Sequence, residues 1–169
     1  MLDSLSAVDA VADSEGPIVD VGSGGGAPGI PLAAAFPGRE VTLLEAAGRK
    51  CDFLRRAAKP FANVRVVHGR AEEQETDVWG AAVAKALAEP PVAAEWCLPL
   101  VRPGGAVVLY VAADTDAARV STVASRVGGG EAEVVPVSDT RVLLVIPKVG
   151  PTPAGFPRRP GLARKRPLA

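Results

Sequence analysis

The chain has 169 residues, 48% hydrophobic and 22% charged, with a formal net charge of zero. That length and balance describe one globular domain with a proper core and exclude a disordered chain. The longest apolar run, residues 106–113, is too short to span a bilayer, and no charged-then-apolar leader opens the chain, so a cytoplasmic protein with no membrane partner is expected. Aromatic residues are only 4%, so the core must be built mainly from Ala, Val and Leu. Cys51 and Cys97 stand apart from any Cys-x-x-Cys pair and read as two buried thiols, with no metal site expected.

Residues 3–14 carry Leu5, Val8, Val11 and Ala12 at the spacing of a short amphipathic helix. Residues 17–21 are an apolar strand that runs into Gly22-Ser23-Gly24-Gly25-Gly26-Ala27-Pro28-Gly29, and a helix over 29–36 ends at Pro37-Gly38. Glycines at alternate positions let the backbone turn tightly and approach a ligand. The helix start beyond them offers unpaired N–H groups. Asp20 is the decisive detail. Dinucleotide folds usually stay apolar up to their glycines because phosphates follow. S-adenosylmethionine has no phosphate and carries a sulfonium and an ammonium, which an acid beside the loop suits.

Strand two covers 41–44 and is closed by Glu45, about 20 residues after the loop, the spacing of an acid that hydrogen-bonds ribose hydroxyls. A helix over 49–59 stops at Pro60, and 64–67 form strand three. In the polar connection 69–79, Gly69-Arg70-Ala71-Glu72 falls where a doubly wound sheet has its ligand crevice. A backbone N–H and a carboxylate there can hold an adenine edge; a helix start favoured by an acid is the plainer reading. Strand four, 81–84, ends in Ala84-Lys85-Ala86. A lone Lys at a strand end is more often solvated than functional, but in such a fold this end faces a methyl acceptor. A helix over 91–100, a turn at Pro103-Gly104-Gly105, strand five over 106–111 and a helix over 114–127 follow. Strands 133–137 and 141–146 make a hairpin turning at Ser138-Asp139.

The alternation predicts an α/β fold: a doubly wound, mostly parallel seven-stranded sheet with a C-terminal antiparallel hairpin, the Rossmann-like arrangement of class I S-adenosylmethionine-dependent methyltransferases. Gly24-Gly25-Gly26-Ala27-Pro28-Gly29 also fits Gly-x-Gly-x-x-Gly, a weak signal by itself. A dehydrogenase needs a hydride-transfer partner, and with one histidine, His68, and one tyrosine, Tyr110 inside a strand, the chain is poorly equipped for it.

Residues 1–150 read as this domain and 151–169 as a Pro-rich basic tail. The tail holds Arg158, Arg159, Arg164, Lys165 and Arg166 and no acid, which leaves a net charge of −5 on residues 1–155. An acidic body with a basic tail suits a polyanion. With little apolar surface the tail is expected to have no core to join and to be free to meet phosphates; a merely solubilising tail is the plain alternative.

The segments 20–31, 41–54, 69–73 and 96–105, together with Phe156-Pro157-Arg158-Arg159-Pro160-Gly161 and Lys165-Arg166-Pro167-Leu168, resemble the RsmG (GidB) family. These are bacterial methyltransferases acting on N7 of a guanine in 16S ribosomal RNA. Met1-Leu2-Asp3-Ser4-Leu5 is similar to the Leu-Leu-Asp-Ser-Leu segment that precedes the glycine loop in that family, where a helical N-terminal extension comes first. The resemblance implies S-adenosylmethionine as cofactor, with Gly22 and Ala27 at cofactor-contacting positions of the loop and Ala71 and Glu72 at the adenine-contacting pair. It puts Lys85 where the family usually has Arg, against cofactor or substrate. Asp20, Gly24, Gly26 and Glu45 complete the expected cofactor set, Lys85 is the candidate catalytic residue, and Arg158, Arg159, Arg164, Lys165 and Arg166 are the candidate RNA contacts. The partner implied is 16S ribosomal RNA or the small ribosomal subunit, met by a monomer. Strand five departs from the family's Lys-Gly ending with Tyr110-Val111-Ala112. A small-molecule methyltransferase, which needs no basic tail, and a non-catalytic cofactor- or RNA-binding module are the alternatives on the same fold.

Overall fold

The computed structural model describes residues 6–169; residues 1–5, and with them the Leu-Asp-Ser-Leu segment, lie outside the described residues. Helix α1 (Val8–Ala12) is followed by β1 (Ile18–Val21), α2 (Gly29–Ala35), β2 (Val41–Glu45), α3 (Gly48–Ala57), β3 (Val64–His68) and β4 (Trp79–Lys85). Then come α4 (Pro90–Cys97), β5 (Val101–Ala112), α5 (Ala117–Ser125), β6 (Glu133–Ser138), β7 (Arg141–Pro147) and α6 (Leu162–Lys165). The strands form one sheet in the order β3-β2-β1-β4-β5-β7-β6. The first five run parallel, and the closing hairpin adds β7 antiparallel to β5 with β6 outermost. This is the expected α/β architecture.

Successive residues of a strand point to opposite faces, and both faces are covered. On one, Val19, Val21, Ala82 and Ala84 meet Trp96 and Leu98. On the other, Ile18, Leu43, Ala81 and Val83 meet Leu32 and Leu54. Cys51 and Cys97 are buried free thiols. Gly80 fixes the approach to β1: its N–H donates to Pro17 O at 2.8 Å, and a Cβ there would lie 1.6 Å from Glu15 O.

Pro103-Gly104-Gly105 is not a turn ahead of strand five but a bulge within β5. Trp79 pairs with Val101 and Ala81 with Ala106, so residues 102–105 stand out against the single residue Gly80. Gly104, at φ +88°, allows the excursion, and its N–H donates to Lys148 O at 2.8 Å.

The tail also departs from expectation, because it does find a core. Lys148 Nζ, fully enclosed, donates to Asp77 Oδ1, Leu98 O and Thr152 Oγ1 at 2.9, 2.8 and 2.7 Å. From there the chain crosses α4. Phe156 packs on the core and Ala163 is 2% exposed. The Arg158 guanidinium grips the buried Glu95 carboxylate with two bonds of 2.6 Å. Glu95 is an acid inside an otherwise apolar helix, and a buried carboxylate is tolerable only with a partner.

Asp20 lies beneath the glycine loop, 1% exposed, with Oδ2 accepting the Gly29 N–H at 2.9 Å. Burial pushes its carboxyl up from 3.8 to about 7, against the lowering effect of the bonds from Gly29 and Ser23. The folded protein therefore holds a proton that the unfolded chain has already released, and stability falls as pH rises from about 4 to about 7. At about 1.4 kcal/mol per pH unit the loss approaches about 4 kcal/mol. Asp20→Asn keeps an acceptor for Gly29 without the titration. Urea unfolding across pH 5–8 should show a flatter profile for the variant, with Asn more stable than Asp by about 1–3 kcal/mol at pH 8. For the ion pair, Arg158→Ala should cost about 3–5 kcal/mol in the same measurement, because Glu95 stays buried and unpaired.

Candidate functional site

A cleft opens where β1, β2 and β3 end. Its sheet side is made by Val21, Gly22, Leu44, Glu45, Ala71 and Glu72, and its far side by Leu87, Trp96 and Arg164.

The loop is held by backbone bonds and by Glu45. Gly22 N donates to Leu44 O at 2.8 Å and Gly26 N to Ser23 O at 2.7 Å. Gly22 sits at φ +72°, and a Cβ there would be 2.5 Å from Leu87 Cδ1, so a side chain would be both strained and in collision. Glu45 Oε2 accepts the Gly24 N–H and Oε1 the Ala47 N–H, both at 2.9 Å. Each oxygen keeps a further lone pair for a ligand.

Four of the expected cofactor residues thus come together on the cleft: Gly22, Glu45, Ala71 and Glu72. Gly24 joins them through Glu45. Gly26 and Ala27 lie at the approach to α2, off the cleft lining. Asp20 is under the loop and does not reach the cleft, so its expected contact with a cation is replaced by support of the Gly29 backbone. Ala71 opens a 3₁₀ turn and is 6% exposed, while Glu72 Oε1 accepts the Gly161 N–H at 3.1 Å.

Lys85 closes β4 on the face shared with Val83 and Tyr110, with Nζ 5.7 Å from the Tyr110 ring centroid. Strand alternation carries it to the face opposite Trp96, and it does not line the cleft.

The basic tail residues part company. Arg158 is committed to Glu95. Arg164, expected to meet RNA, instead lines the cleft: its guanidinium lies 5.0 Å from the Trp96 ring centroid and donates to Leu87 O at 3.2 Å. Arg159, Lys165 and Arg166 have exposed side chains. Leu87 and Trp96 were not among the expected site residues. The signal for that wall was the helix Pro90–Cys97 itself, where Glu95 interrupts an apolar run beside Trp96. Trp96 Nε1 is buried with no hydrogen-bond partner among the described residues. Also among the described residues, no group of three His, Cys, Asp or Glu is placed to hold a metal, and no helix is long and apolar enough to cross a membrane.

Solved structures share this architecture. A Thermotoga maritima SAM-dependent O-methyltransferase superposes with a TM-score of 0.70 at 17% identity, over 89% of this chain and 66% of that one. The T. thermophilus 16S rRNA N2 G1207 methyltransferase, solved with AdoMet and guanosine, gives 0.65 at 17% identity, over 82% and 36%. At such identities the likeness is one of fold, that of the class I methyltransferases. Sequence relatives are nearer. The ribosomal RNA small subunit methyltransferase G of Chloroflexus aggregans is 36% identical over 99% of this chain and 76% of its own length. That of Pelotomaculum thermopropionicum is 38% identical over the same shares. The family model for rRNA small subunit methyltransferase G matches residues 1–141. With that match running from residue 1 through the glycine loop to the start of β7, the chain belongs to the rRNA small subunit methyltransferase G family.

Proposed function

We infer that this protein is an S-adenosylmethionine-dependent methyltransferase of small-subunit ribosomal RNA, acting on N7 of a guanine in 16S rRNA. Family membership carries the reading, and the residues of the cleft fit the cofactor. Gly22 presents bare backbone, Glu45 has lone pairs left for hydroxyls, Ala71 gives an apolar floor and Trp96 Nε1 is a buried donor still to be paired. When bound, S-adenosylmethionine supplies the methyl group, which passes from its sulfonium to the N7 lone pair and leaves a neutral thioether.

The protein's task is placement. Guanine N7 carries no proton, so no general base has to be tuned, and the plain character of the site is no obstacle. Holding donor and acceptor in line is worth about 7–11 kcal/mol. We assign the cofactor's adenosyl end to Glu45, Ala71 and Glu72, and its backbone contacts to Gly22, Gly24, Gly26 and Ala27. Asp20 acts indirectly, through the backbone of Gly29. Lys85, at the end of β4, is assigned to the acceptor side. Lys keeps the charge of the family's usual Arg but not its planar fork. The exposed Arg159, Lys165 and Arg166 are offered to phosphates of the small subunit, met in the cytoplasm by a monomer without a metal.

Incubation with labelled S-adenosylmethionine and 16S rRNA or small subunits from a strain lacking the modification tests the reading. A 7-methylguanine detected by aniline cleavage is the expected outcome, and label confined to small molecules would sink it. Glu45→Ala removes one charge-assisted partner, worth about 1.5–3 kcal/mol. Calorimetry should therefore show S-adenosylmethionine binding weaker by roughly 10- to 150-fold. Unchanged affinity would take Glu45 out of the site.

A further inference from the structure

We propose that the C-terminal strap, residues 156–166, forms a wall of the cofactor cleft, and that Arg164 is a positioning residue for the adenosyl end of the cofactor. The proposal rests on the methyltransferase reading above and adds to it a segment that composition assigns to RNA.

Three residues lining the cleft are each touched by the strap. Glu72 Oε1 accepts the Gly161 N–H across 89 residues of sequence. The carbonyl of Leu87 accepts an N–H of Arg164 across 77. Trp96 carries the Arg164 guanidinium against its ring, 5.0 Å from the centroid. Arg164 itself lines the same cleft. These are not incidental neighbours. Leu87 is the side chain against which the bare Gly22 is set, so Arg164 reaches the glycine loop through a single residue. Trp96 holds a buried donor that finds no partner among the described residues.

The chemistry of this corner suits an adenine. An indole, an apolar floor at Ala71 and a carboxylate at Glu72 surround it, and a planar guanidinium completes it. A guanidinium lying over an indole fixes that ring by a cation–π contact. A site whose walls are already ordered spends less of its binding free energy on ordering them. The strap is in turn latched by the Arg158–Glu95 fork, so Arg164 is delivered from a held segment and not a loose end.

A strap that merely covered apolar surface would alter stability and leave cofactor affinity alone, which is what calorimetry on the full chain can separate. S-adenosylmethionine should bind Arg164→Ala roughly 5- to 30-fold more weakly than wild type, because the Trp96 and Leu87 wall that Arg164 orders in advance must then be ordered on binding. Arg164→Lys, which keeps the charge without the plane, should fall between them. Because the Arg164 side chain is exposed, the melting temperature should stay within a few degrees of wild type. Coupling is reciprocal, so saturating S-adenosylmethionine should slow hydrogen exchange at the amides of Gly161, Lys165 and Arg166 in wild type. Wild-type affinity in Arg164→Ala, or strap amides that exchange alike with and without the cofactor, would overturn the proposal. A wild-type protein that bound no S-adenosylmethionine would instead overturn the functional reading beneath it.

Discussion

Two carboxylates from neighbouring strands hold a loop that has almost no side chains with which to hold itself. Gly29 N donates to Asp20 at the end of β1, and Gly24 N donates to Glu45 at the end of β2. The parallel register sets this up: Val21 lies beside Leu44, so Glu45 projects one residue beyond the pair, level with the loop. Backbone N–H groups removed from water must find acceptors, and these two acids are among those that meet the need. The environments divide their work. Asp20 is sealed in and resists ionisation, while Glu45 stands at the rim, with lone pairs still to give.

Much of this was legible beforehand, for identifiable reasons. Strands and helices separated cleanly because the parallel strands are short apolar runs, set between helices with clear Pro and Gly stops. The place of Glu45 beside the glycine loop could be read from its spacing. For Asp20 the sequence shows an acid before a glycine, but not that Gly29, nine residues on, turns back to claim it. The bulge at 102–105 hid behind the usual meaning of Pro-Gly-Gly. Lys85 was placed at the correct strand end, but which face it takes depends on the pleat.

The tail was the least legible part, because composition averages over what single residues do. Five cations and several prolines look solvated, yet one Arg answers Glu95 and another covers Trp96. The clue lay 63 residues upstream, in an acid embedded in the apolar helix that needed a partner. Lys148 with Asp77 repeats the theme where the tail begins. Buried ion pairs of this kind add little net stability compared with apolar packing. What they do here is fix a path: a segment poor in apolar side chains is guided over α4 by a few specific pairings.

That path has a temporal side. Chains emerge from the ribosome N-terminus first, and Glu95, Glu72 and Leu87, which Arg158, Gly161 and Arg164 hold, are made 63 to 89 residues before them. All seven strands end by Pro147. The sheet, its glycine loop and Glu45 are therefore available for pairing while the far side of the cleft is still untranslated. A fold built this way completes its sheet before its cleft, and a nascent chain cut short soon after Pro147 would carry all the strands and an open-sided cleft.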